Sequence, residues 1–154
     1  MYRLVKKYVG LFIALIVVFI LTVAILHIKK NINEKNDVQE MATQYFDNII
    51  SERYEQAATM IFFNSQVETV RKLAVNGFIQ DKLISYEIVN IKKIADRLYE
   101  LNTVINSQKT SNEKILNYAL YTDNKWYIVM NSMDVPLDVY YFEDAGPYTL
   151  VPIE

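Results

Sequence analysis

ILNYALYTDNKWYIVMN, residues 115–131, is a pair of β-rich runs joined by an Asx-rich tip. ILNYALYT and WYIVMN carry the β-branched and aromatic side chains that suit a pleated, half-buried surface. Asp123-Asn124-Lys125 between them is turn chemistry, so the stretch predicts an antiparallel hairpin. Three-residue loops usually place Gly where Asn124 sits here.

Two further strands precede this hairpin. LISYEIVNI from Leu83 alternates imperfectly, whereas Tyr99, Leu101, Thr103 and Ile105 fall on one face of the next run. Ala95-Asp96 would turn the first run back into the second, and the polar segment NSQKTSNEK leads from the second to the third. The expected product is a four-stranded antiparallel meander with one face to bury.

Upstream the apolar period lengthens to that of helices. Val38, Met41, Ala42, Tyr45, Phe46, Ile49 and Ile50 recur at i, i+3, i+4, i+7 spacing, with Asn36 or Asp37 as the expected cap and a break near Ser51. A short second helix puts Tyr54, Ala57, Ala58 and Ile61 on one side. Ser65-x-x-Glu68 is a capping-box pattern ahead of Val67, Val70, Leu73, Ala74 and Phe78, and Gly77 or Asn76 suits its end. Three helices packed on a curved antiparallel sheet make an α+β domain.

Ahead of the domain lies YVGLFIALIVVFILTVAILHI, Tyr8–Ile28, in which Thr22 is the one clearly polar interruption before His27. At roughly 1.5 Å per residue such a run crosses a hydrocarbon core of about 30 Å. It exceeds the usual signal-peptide apolar region and lacks a small-x-small cleavage site, so the expectation is an uncleaved single-pass anchor in the lipid bilayer. Arg3, Lys6 and Lys7 on one side balance Lys29, Lys30 and Lys35 on the other. The very short N-terminal tail, with Glu34, Asp37 and Glu40 on the far flank, tips the reading toward a cytoplasmic N-terminus and an extracytoplasmic domain. Gly10-x-x-x-Ala14 is a small-xxx-small pair that would let two anchors pack, which keeps a homo-oligomer open. The chain thus divides into a cytoplasmic tail (1–7), a transmembrane anchor (8–28), a linker (29–36), an α+β domain (37–132) and an acidic aromatic tail (133–154).

Composition narrows the chemistry. The first thirty residues carry five basic and no acidic side chains, leaving the remainder strongly acidic, and no basic residue follows Lys125. A net-acidic domain without a basic block offers no footprint for nucleic acid. Cysteine is absent, which rules out a lipid-modified cysteine, disulfides and thiolate metal sites, and His27 is the sole histidine. Histidine-dependent nucleophile systems and common zinc sites are therefore missing, and Gly10, Gly77 and Gly146 form no phosphate loop. Asp47 with Glu87 or Glu100 is the remaining carboxylate pairing, but no spacing selects it. The expectation is a non-enzyme that uses no cofactor and no metal. Abundant Ile, Asn, Lys and Tyr suggest an AT-rich genome, such as that of a low-GC Gram-positive bacterium.

The order of helices and strands from Val38 to Ser132 resembles the nuclear transport factor 2-like superfamily, the cone-shaped cystatin-like roll. Its carriers are YFDNIISERYEQAATMI, similar to the long helix and short Ala-rich helix of small envelope members, and YTDNKWYIV, similar to their closing hairpin. Scarce glycine and about twenty residues beyond the last strand depart from the pattern. The resemblance implies three helices on the curved sheet. The layout, with one anchor and one roll, is also similar to assembly factors of type IV secretion and conjugation machines. That implies a scaffold in the cell envelope that binds other envelope proteins.

Two functional expectations follow. In the first, the module docks partners without catalysis, and Val139, Tyr140, Tyr141 and Phe142 form an aromatic docking element within the proline-punctuated tail. In the alternative, Tyr45, Phe78, Tyr99, Tyr118 and Trp126 line a ligand pocket between helices and sheet.

Overall fold

A computed structural model describes residues 2–63 and 67–140, with side chains from Leu15 onward except at position 67. The chain is α+β and divides into two compact units, Met1–Asn36 and Asp37–Glu154. Helix α1 (Tyr2–Ile50) contributes to both; α2 (Tyr54–Thr59) and α3 (Val67–Gln80) precede the strands. Strands β1 (Leu83–Ala95), β2 (Leu98–Ser107), β3 (Glu113–Thr122) and β4 (Lys125–Val129) form one antiparallel sheet in sequence order.

The first unit contains the helical stretch long and apolar enough to cross a membrane. Its large side chains, Phe19 and Leu26 among them, are exposed. Thr22 donates its hydroxyl to the Val18 carbonyl at 2.8 Å, which satisfies that group within the helix itself. The Gly10 and Ala14 side-chain positions and Ser65 of the expected capping box lie outside the described residues.

Residues 29–36 are helical, so the anchor and the first helix of the domain run together as α1, and the described residues hold three α-helices in total rather than an anchor helix followed by three more. KKNINEKN contains no Pro or Gly to break a helix, and Lys30 pairs with Glu34 one turn on, at 3.6 Å. No cap forms at Asn36 or Asp37 because the helix has already begun.

Within the second unit, the last turns of α1 bury Val38, Ala42, Tyr45, Phe46 and Ile49, as the spacing predicts, while Ile50 stays partly exposed. The helix ends in a Schellman motif: Arg53 N–H donates to Asn48 O at 2.8 Å and Glu52 N–H to Ile49 O at 3.0 Å. Glu52 holds the left-handed position at φ 58°, which normally favours Gly. Its carboxylate accepts from Lys82 at 2.6 Å, which ties the end of α1 to the start of the sheet.

The period-two face of β2 is confirmed. Tyr99, Leu101 and Thr103 are buried, and their partners across β3 include Ala119, Asn117 and Ile115. This inner face meets α1 and α2 in one apolar cluster. Residues of opposite parity, Leu98, Tyr118, Leu120 and Val129, make a second cluster on the outer face, covered by Phe62, Val135 and Val139.

Two turns differ in detail from expectation. Thr122 pairs directly with Lys125, so the β3–β4 loop has two residues, Asp123 and Asn124, at φ 50° and 59°. Both central residues at positive φ define a type I′ turn, whose twist matches the strands and which Asp and Asn tolerate. Gly77 does not end α3, which continues to Gln80. Leu73, expected on the buried side of α3, is 64% exposed; that helix leans on the core through Ala74 and Phe78.

Candidate functional site

The inner face leaves space at one end. A cavity of about 380 Å³ opens between the last turns of α1, the end of α3 and the sheet. Tyr45, Phe46 and Ile49 come from α1, Phe78 from α3, Leu83 from β1, Ile105 from β2, and Ile115 and Asn117 from β3. The size lies within the range of small-molecule sites, and the lining is largely apolar with a few polar groups.

Those polar groups differ in what they have left to offer. Asp81 at the rim accepts from the Lys109 backbone at 3.1 Å, and Gln108 N–H donates to Lys82 O at 3.0 Å. Ser107 Oγ accepts from the backbone of Thr110 at 3.1 Å and lies 3.0 Å from its hydroxyl. These bonds tie the β2–β3 loop to the α3–β1 junction. Asn117 is different: its residue is 7% exposed and its Oδ1 is buried without a partner among the described residues. An unpaired buried carbonyl costs roughly 1–3 kcal/mol. Burial pushes the Tyr45 hydroxyl well above the usual tyrosine range, so the cavity wall is uncharged there.

Of the five aromatics expected to form a pocket, Tyr45 and Phe78 line this cavity and stand in edge contact, with ring centroids 6.3 Å apart. Tyr99 and Trp126 lie farther along the same face, packed edge to face at 5.5 Å, and fill rather than line it. Tyr118 belongs to the outer-face cluster. Its neighbours Ala119 and Leu120 are also apolar, so alternation along NYALY could not assign its face. Asn117 lies outside that aromatic set. Its signal was there, since Asn is disfavoured inside an otherwise apolar strand.

Asp47 and the two glutamates are not brought together. Asp47 accepts from the Tyr86 hydroxyl at 2.8 Å on the helical side. Glu87 and Glu100, opposite Val104 and Tyr118, project from the outer side.

A second surface stands out on the sheet. The outer edge of β4 is closed, because Phe62 N–H donates to Ile128 O and Ile128 N–H to Met60 O, both at 2.8 Å. Among the described residues nothing pairs with the outer edge of β1, a strand of 13 residues. Register shifts between Leu83 and Ser85, Ile88 and Asn90, and Lys93 and Ala95 break its ladder. The extra residues Ile84 and Val89 are 60% and 59% exposed. Val89 also lines a shallow outer groove of about 290 Å³ with Asn102, Val104 and Lys114.

In the tail, Val135 is buried and Val139 packs on the outer cluster, while Tyr140 is exposed. Tyr141 and Phe142 lie outside the described residues. Val135 therefore belongs to the core of the domain, and a cut after Ser132 would remove it.

No protein-family model matches the chain, and none of the curated proteins matches it.

Proposed function

We propose that this chain is a non-catalytic, membrane-anchored interaction module whose domain faces the outside of the cytoplasmic membrane and docks envelope proteins. The observation that carries the reading is the open edge of β1, where Ile84 and Val89 expose apolar surface beside backbone groups that none of the described residues pairs. Such an edge adds a strand or an apolar segment from a partner, and its bulges and Lys92-Lys93 discourage indiscriminate pairing. The apolar helix at the N-terminus would fix concentration and orientation at the membrane. The element order, three helices and a four-stranded meander, supports a roll of the nuclear transport factor 2-like type. A place in a conjugation or secretion apparatus is the context we infer from that layout.

The test is a photo-crosslinking amino acid placed at Ile84, Val89 or Lys72 of the full chain in its native membrane. One defined protein adduct should form at the two β1 positions, be absent at Lys72 on α3, and disappear from Ile84 when Val89→Glu is added. Equal adducts at all three positions, or none at β1, would overturn the reading.

A further inference from the structure

The cavity on the inner face carries an inference that does not depend on partner docking. Its wall is formed by rigid elements: α1 presents Phe46 and Ile49, and the sheet presents Ile105 and Ile115. Asp81 and Ser107 already serve the neighbouring loop. Asn117 lines this space, and its Oδ1 is buried without a donor among the described residues. A protein interior pairs nearly all such atoms, so an orphan on a cavity wall marks the place of a hydrogen-bond donor from outside the chain.

The remaining chemistry selects the class of molecule. Among the described residues the lining contains no basic side chain, and its one charged member is the acidic Asp81. An anion would lose its hydration there with no cation to compensate. We propose that the cavity binds a neutral, largely apolar small molecule with a single donor, of the long-chain alcohol class, whose hydroxyl donates to Asn117 Oδ1. Its chain lies along Phe46, Phe78, Ile105 and Ile115.

Full-length protein in lipid nanodiscs, photolabelled with a diazirine analogue of dodecanol and mapped by peptide mass spectrometry, tests this. Saturable adducts should appear on cavity residues such as Phe78, Leu83 and Met130 and be displaced by unlabelled dodecanol. Dodecanoate should compete at least tenfold less well. Asn117→Leu removes a polar group from the interior, so it should fold normally and weaken competition by dodecanol about tenfold, the size of one buried hydrogen bond. Ile115→Trp should fill the space and abolish the cavity adducts. Non-saturable adducts within Tyr8–Ile28 provide the internal control for partition into lipid. The proposal is overturned if cavity adducts are absent or non-saturable, if Asn117→Leu leaves competition unchanged, or if dodecanoate competes as well as dodecanol. It is equally overturned if adducts form only after truncation following Tyr140, which would make the chain's own C-terminal segment the occupant.

Discussion

Leu101→Ala and Leu73→Ala remove the same three carbon atoms from two leucines that look alike in the sequence but sit in opposite environments. Leu101 is 1% exposed at the centre of the inner sheet face, whereas Leu73 is 64% exposed on α3. At about 0.8 kcal/mol per buried methylene, truncating Leu101 forfeits about 2.4 kcal/mol of transfer free energy. The hole left between sheet and helices adds about 1 kcal/mol more, for a total of about 3 kcal/mol. For Leu73 only about a third of the transfer free energy is at stake, no closed hole forms, and Ala is the better helix former; the cost stays below about 1 kcal/mol. Trp126 is the sole tryptophan and packs against Tyr99 and Tyr121, so its fluorescence reports the sheet. With a urea slope of about 2 kcal/mol per molar, the midpoint of the full chain should fall by about 1.5 M for Leu101→Ala and by under about 0.5 M for Leu73→Ala. Equal shifts would refute the assignment of the inner face as the core and of α3 as a peripheral helix.

Two further predictions concern backbone and ionisation. Glu52→Gly and Glu52→Ala both lose the contact with Lys82, so their difference isolates the left-handed backbone at the end of α1; the Gly variant should be more stable by about 1 kcal/mol in urea unfolding, and equal stability would contradict the Schellman geometry. Tyr45 is held protonated by burial in the folded state, while the unfolded chain ionises its tyrosines from about pH 10. Above that pH the folded state binds more protons, so stability is full below it and declines as pH rises, by about 1.4 kcal/mol per pH unit for each such tyrosine. Tyr45→Phe should make the alkaline decline shallower by that amount. Tyr86, raised by burial and then by its bond to Asp47, and Tyr118, raised by burial and then by Glu100, contribute to the decline in both proteins. An unchanged slope would place Tyr45 in contact with solvent.

Much of the architecture is legible in the residues because burial imposes a period. Tyr99, Leu101 and Thr103 could only be one face of a strand, and the Val38–Ile49 series only one face of a helix. Legibility fails where several physical solutions share one composition. A polar octet without Pro or Gly is as good a helix as a linker, and only its continuation on both sides settles the matter for residues 29–36. Leu73 has the right spacing for a core position, yet α3 sits at the rim of the domain, where burial is incomplete. The two-residue turn at Asp123-Asn124 depends on register, which composition does not set. Aromatics are a poor guide to the cavity because they also fill cores: Trp126 and Tyr99 pack on each other, while the informative residue is Asn117, a polar side chain in an apolar strand. The open edge of β1 was not foreseen, since it arises from strand order and bulges rather than from any motif.

Because the chain has no cysteine, Lys72→Cys and Val89→Cys each introduce a unique thiol into the full-length protein. Intact cells treated with a membrane-impermeant maleimide should label the Lys72→Cys protein fully, and the Val89→Cys protein much less at native expression. Labelling at Val89→Cys should recover when the chain is expressed in excess of its partner. A Lys72→Cys protein that labels only after the cells are broken would put the domain inside, and equal labelling at both positions at native expression would leave β1 without a partner.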